Sequence, residues 1–398
     1  MAEIWLAHMA GPEGFEKLVV IKKIRPHLAK QKNFLKMFLN EARLAAQLNH
    51  PNIVQIYEFG NPDNQHYIAM EYIFGRDLSE IVPKAKRANI PFPLEYAIKI
   101  IMQVCEGLYY AHTKTDKLGR PLQIIHRDIS PQNVLVSFDG HVKILDFGIA
   151  KAANQYEQTQ QGILKGKVSY MAPEQILGEQ VDCRVDIFSL GAVFYELITG
   201  YKLFSGDNEL AILRSITDGP IYPPSYFNEE VPDELEEIIL KALAKDPNER
   251  YPNAWELQRD LTALLLKFDF HPTNTHLANF LKQLFEDEIE EESRYLEQKL
   301  QEVLGSEAAP APLPPSEPTP PAKTPSPALS NKTSEEGRPT QRMKTLENES
   351  KPLHDTHPDL DAMELSSEDA LLPLEEDDQV LDPATSSHFK DENAAASA

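Results

Sequence analysis

The chain begins with short apolar runs and then changes period. Residues 2–8, 17–24, 52–59 and 65–73 are rich in Ile, Val and Tyr and are separated by Gly, Pro and Asn, which predicts four strands. Between the second and third, Phe34, Phe38, Ala42, Ala45 and Leu48 recur at helical spacing, so 32–48 is expected to be one helix. From about residue 77 the helical period dominates. Helices are expected over 94–113, 183–199, 207–217, 233–245 and 253–267, with short strands at 134–136 and 142–145. The boundary falls near Gly75, after a hinge-like run. An acidic amphipathic helix follows over 275–304. Packing against the preceding lobe is favoured over a homodimeric coil, because its a/d pattern is short.

After residue 305 the pattern stops. APLPPSEPTPPAKTPSP introduces a Pro-, Ser- and acid-rich stretch that cannot bury enough apolar surface to offset ordering entropy, so 306–398 is expected to be disordered. The net charge of −23 argues against nucleic acid or an anionic membrane as partner. Residues 351–398 alone carry 13 acidic against 2 basic side chains, a composition suited to a basic partner. Cys105 and Cys183 have no CxxC or His at metal spacing and read as buried thiols of a reducing compartment. MAEIWLAHMA lacks the basic and apolar regions of a secretory signal, and no apolar run approaches the roughly 20 residues of a membrane span. The expectation is cytoplasmic.

The candidate chemistry lies in the second lobe. Asn133 precedes the strand-like VLV, and Asp146 follows the strand-like VKIL. Two adjacent strands would bring both oxygen ligands to one end of a hairpin, where Mg²⁺ could take them together with phosphate oxygens. Asp128, on the loop before, would then be available to take or orient a hydroxyl proton. These are the parts of a phosphoryl-transfer centre.

HRDISPQN at 126–133 is followed by DFG at 146–148, SYMAPEQ at 169–175, VDIFSLG at 185–191 and ERY at 249–251. This series resembles the protein kinase superfamily, specifically the eukaryotic-like Ser/Thr kinases of bacteria, over residues 1–268. The resemblance implies an α+β, two-lobed fold: a small β-rich lobe over 1–75, missing its first strand, and a larger helical lobe over 76–268. A helical extension over 269–305 and the tail follow. It implies ATP with Mg²⁺ (or Mn²⁺) as cofactors and proteins as substrates. Asp128 matches the catalytic base, while Asn133 and Asp146 match the metal ligands, with Phe147 and Gly148 completing the motif. Lys22, in VVIK, matches the lysine that holds the α/β-phosphates, and Glu41 matches its helical partner. Glu71 to Ile73 would present backbone groups to adenine beside Met70, with Ile4, Val20 and Leu135 among the residues around the nucleotide. Asp77 is placed either to bond a ribose hydroxyl or to cap a helix. Glu174 and Arg250 match a structural ion pair, and Asp186 matches the buried anchor of the catalytic loop.

Two positions depart from the pattern. Ser130 stands where such kinases carry Lys, and Lys167 stands where they carry Thr. Those positions touch in the family, so the pair reads as an exchange: Lys167 would supply charge to the γ-phosphate while Ser130 bonds Asp128. The Gly-rich turn over the phosphates is also absent, since Ile4 falls where its final Val would be and Gly11 and Gly14 come too late. The start therefore reads as clipped or misassigned, the other reading being a bare phosphate roof. Thr159 is the Thr of the activation segment and the candidate autophosphorylation site, with Arg127 placed to hold its phosphate. The reading is a serine/threonine protein kinase. A pseudokinase or scaffold, and an adaptor acting through its acidic tail, stand as alternatives.

Overall fold

The computed structural model describes residues 2–10, 16–30, 32–62, 65–147, 168–307 and 371–373. In the small lobe, Ala2–Ala10 (β1) and Glu16–Ile24 (β2) form a hairpin, with Ile4 opposite Lys22 and Ala10 opposite Glu16. Ile56–Gly60 (β3) and Tyr67–Glu71 (β4) complete the order β3-β4-β2-β1. The expected strand over 52–59 is shorter, because 53 and 54 leave the sheet to meet Ile144. Beyond β1 the edge is taken by Leu371–Pro373 (β8), with Leu6 opposite Leu372. Three residues of the tail expected to be disordered are thus strand, as an edge with unpaired backbone groups allows.

Lys32–Ala45 (α2) packs Phe38 and Ala42 on the sheet face that carries Ile68 and Met70. Period two puts Ile4, Val20 and Lys22 on that same face, since Lys22 pairs with Ile68 and Val20 with Met70. A one-turn helix, Pro26–Ala29 (α1), precedes α2 and was not expected; its proline occupies the first turn, where no donor is lost.

Gly75–Asp77 (β5), Val134–Ser137 (β6) and Val142–Ile144 (β7) form a second small sheet. At the β5–β6 crossing a Cβ on Gly75 would stand 2.3 Å from the Val136 carbonyl oxygen, so the strands approach only because that residue is glycine. The large lobe then comprises Leu78–Arg87 (α3), Leu94–His112 (α4), Pro173–Leu177 (α5), Arg184–Thr199 (α6), Glu209–Thr217 (α7), Asp233–Ala242 (α8) and Ala254–Lys267 (α9). α6 is apolar nearly all round and lies buried at the centre of the core, against α4 and α8. Cys105 is fully buried on α4, whereas Cys183 is only half-buried, a correction to the expectation for it.

The helix expected over 275–304 is two helices, Asn274–Leu284 (α10) and Glu286–Glu307 (α11). They are broken at Phe285, whose φ of −119° leaves the helical region while its ring is buried 6.0 Å from Phe138. Leu277, Leu281 and Leu284 of α10 join the core of the large lobe. Of the described residues, those up to Arg294 together with 371–373 belong to one compact unit and those from Tyr295 to Glu307 to a second. Among the described residues, no helix is long and apolar enough to cross a membrane.

Candidate active site

The loop between α4 and β6 is fixed by one carboxylate. Asp186, in the first turn of α6, accepts the backbone N–H of His126 at 2.8 Å through Oδ2 and that of Arg127 at 2.7 Å through Oδ1, and His112 Nε2 lies 2.8 Å from Oδ2. Burial raises the pKa of this fully enclosed acid, but these hydrogen bonds and the neighbouring imidazoles outweigh it and hold the group below the usual carboxylate range. Arg127 adopts φ +64°, a strained geometry for a residue with a side chain. The His126 ring accepts the Asp128 N–H at Nδ1 (3.2 Å) and donates from Nε2 to the Leu145 carbonyl (2.8 Å). Both bonds are satisfied by the neutral ring with its proton on Nε2. Burial lowers the pKa of that ring against the pull of Asp186, which keeps it neutral.

The turn Pro131–Asn133 then brings the Asn133 amide back to Asp128. Its Nδ2 donates to the Asp128 carbonyl at 2.6 Å and to Oδ2 at 3.1 Å, which commits the donor end and leaves the amide oxygen for a ligand. Ser130 Oγ is 1% exposed as a residue and has no hydrogen-bond partner among the described residues, so the expected bond from Ser130 to Asp128 is not formed.

The β6–β7 hairpin delivers the second group. Leu145 N–H donates to the Asn133 carbonyl, placing Asp146 directly after the strand pair with φ +42°. Lys22 Nζ reaches Asp146 Oδ1 at 2.7 Å. Phe147 is buried with its ring centroid 4.7 Å from that of His126. A cavity of about 20 Å³ lies beside Asp146 and Phe147, bounded by Ala42, Ile68 and Met70. Leu135 alternates with the buried Val134 and Val136 and so lies on the other face of its strand.

Hinge residue Glu71 uses its side chain structurally. Oε2 accepts Lys143 Nζ at 2.7 Å and the Gln55 N–H at 3.2 Å. Sequence reasoning missed Lys143, although its place between the buried Val142 and Ile144 already put it on the opposite face. Asp77 is the N-cap of α3, its Oδ1 accepting from Ser79 N (2.8 Å), Ser79 Oγ (2.6 Å) and Glu80 N (3.2 Å). Of its two expected roles the structure shows the cap. Glu174 and Arg250 pair twice, at 2.6 and 2.8 Å, in full burial, and Arg250 also donates to the carbonyls of Ala244, Arg184 and Lys245. Gly148, Thr159 and Lys167 lie outside the described residues, as does the Glu41 side chain.

Asp128, Asn133, Asp146 and Lys22 are thus oxygen and ammonium groups gathered on one loop, one hairpin and one strand. Among the described residues, no group of three His, Cys, Asp or Glu could hold a metal by itself. A family model described as Protein kinase domain matches residues 12–260. The chain is 44% identical over 295 residues to a tyrosine-protein kinase, MasK of Myxococcus xanthus, a match covering 74% of this chain and 46% of that one. It is 38% identical over 260 residues to a serine/threonine-protein kinase, PknB of Mycobacterium leprae, covering 64% and 40% respectively. The chain therefore spans less than half the length of these relatives. Among solved structures, a double mutant of the Mycobacterium tuberculosis PknI kinase domain is similar with a TM-score of 0.50 at 25% identity, over 66% of this chain and 90% of that one.

Proposed function

The chain belongs to the protein kinase family, and from that premise we propose that it transfers the γ-phosphate of ATP to serine or threonine hydroxyls of protein substrates, its own activation segment included. The observation that carries the reading is the Lys22–Asp146 pair, formed beside the loop on which Asn133 holds Asp128. In this account Asp128 takes the hydroxyl proton as the substrate oxygen bonds to the γ-phosphorus and the bond from phosphorus to the ADP oxygen breaks. Asn133 Nδ2 orients that carboxylate. Lys22 exchanges Asp146 for the α/β-phosphates, and the backbone of Glu71 to Ile73 receives adenine. A divalent cation such as Mg²⁺ would neutralise charge on the phosphates. Asn133 and Asp146 fit it, being oxygen donors too few to cage a cation alone, so that phosphate oxygens complete its shell. Lys167, with Ser130 in the place of the usual lysine, supplies the charge that steadies the transferring phosphate.

Two similar kinases are named for different acceptors, so the acceptor is decided by product analysis. Radiolabelled ATP and Mg²⁺ should label the protein on Ser or Thr, and Asp146→Asn should abolish the label. Phosphotyrosine as the sole product would move the assignment to the tyrosine class. No transfer and no nucleotide binding by the folded protein would leave it a scaffold.

A further inference from the structure

Residues beyond the matched kinase segment reach back to the hinge. Glu292, on α11, accepts the Tyr72 hydroxyl at 3.0 Å through Oε1 and Arg76 Nη2 at 2.6 Å through Oε2. Tyr72 is the central hinge residue, and Arg76 sits on β5, immediately before the Asp77 cap of α3. One carboxylate therefore holds the hinge at Tyr72 and the strand that follows it at Arg76.

The grip is built rather than incidental. Only 17% of the Arg76 side chain and 27% of the Glu292 side chain is exposed. The Arg76 guanidinium also lies 5.4 and 5.8 Å from the Phe138 and Phe285 ring centroids. Its Nε pairs with Glu80 at 3.2 Å, and one turn earlier on α11 Glu288 pairs with Lys84 of α3. Burial, then the Glu292 charge, raise the Tyr72 pKa, so the hydroxyl stays protonated and donating. Phe285 and the buried leucines of α10 seat the start of α11 in the large lobe. Glu292 is consequently held by that lobe, as Arg76 is through β5, while Tyr72 belongs to the connection between lobes.

We propose that Glu292 is a positioning residue for nucleotide binding: through Tyr72 and Arg76 it holds the backbone of Glu71 to Ile73 in the conformation that receives adenine. The Tyr72 side chain is held by α11, leaving the main chain of the hinge for the base. A preorganised hinge spares a ligand the ordering that a loose one would demand.

The proposal rests on the kinase reading, and its test separates the two. The full chain is compared with Glu292→Ala, Glu292→Gln and Tyr72→Phe by ATP titration with Mg²⁺, steady-state kinetics and hydrogen exchange of the hinge amides. Glu292→Ala should raise the ATP Kd and KM by about tenfold, the scale of coupling between linked sites. It should leave kcat at saturating ATP within about twofold and speed exchange at 72–76 but not in α6. Tyr72→Phe and Glu292→Gln should show smaller shifts in the same direction, and they carry the test if the alanine variant does not fold. A wild type that binds no ATP refutes the kinase reading, while unchanged hinge exchange would still refute the clasp. A wild type that binds ATP, with Kd unchanged in all three variants, overturns the proposal whether or not exchange rises.

Discussion

Lys22 Nζ lies 2.7 Å from Asp146 Oδ1, joining β2 of the small lobe to the hairpin of the large one. The Asp146 side chain is 44% exposed. Such a pair adds at most about 1 kcal/mol to stability, so its worth should lie in positioning charge. Asp146→Asn and Lys22→Met are each expected to lower phosphate transfer by at least about 10²-fold while thermal midpoints stay within a few degrees. Paired transfer assays and melts check this; a large drop in midpoint would assign the pair to folding instead.

The Glu174–Arg250 pair should behave in the opposite way. Both side chains are buried and doubly bonded, and Arg250 satisfies three further carbonyls. Glu174→Ala leaves a buried guanidinium uncompensated, so urea denaturation should show a loss of roughly 3–5 kcal/mol. A loss below about 1 kcal/mol would mean that water reaches the guanidinium.

Stability should also fall in mild acid. Burial sets the His126 pKa below its ordinary 6.5, so between these values the unfolded chain binds a proton that the folded one refuses. The neutral ring's contribution is complete above about pH 6.5 and is lost as pH falls through the lower folded value. His50, lowered chiefly by burial, adds in the same direction. Unfolding free energy measured from pH 7.5 to 5 should decline with falling pH, and the His126 ring resonances should titrate below 6.5. A flat profile with a His126 midpoint at or above 6.5 would contradict the buried neutral ring.

Ser130 and Lys167 can be tested apart. Since Ser130 Oγ has no partner among the described residues, Ser130→Ala removes no hydrogen bond and should alter stability by less than about 1 kcal/mol. On the role proposed for Lys167, Lys167→Met should lower kcat by about 10²-fold or more with KM for ATP little changed, since that role is exercised as the phosphate moves. Unchanged turnover in that variant would end the Lys167 assignment.

The sheet hairpin, α2, α4 and the helices from α7 to α9 were legible because each buries one periodic face, and α6 because it is a long apolar run buried nearly all round. Lys22, Asp128, Asn133 and Asp146 were legible because each stands in a fixed string beside a strand or loop. What was not legible depends on distance or on local exceptions. Leu78–Arg87 carries Pro83 in its interior, which hides a helix from a reading by propensity. The break at Phe285 comes from a ring drawn into the core, not from a breaker residue. The Lys143–Glu71 and Glu292–Tyr72 contacts join residues 72 and 220 positions apart, and only the folded chain brings them together. The strand at Leu371–Pro373 answers an open edge elsewhere in the molecule and has no long apolar run of its own to announce it.

Asp186 has an implication for where silent defects should arise. Two consecutive peptide planes, those of His126 and Arg127, take their orientation from this acid, and it travels with α6. A small rotation of that helix, such as repacking around Phe188 would cause, must therefore tilt the loop bearing Asp128, although no atom near a substrate has been altered. Inactive variants with normal solubility and melting behaviour should consequently map to the interior of the large lobe as often as to its mouth.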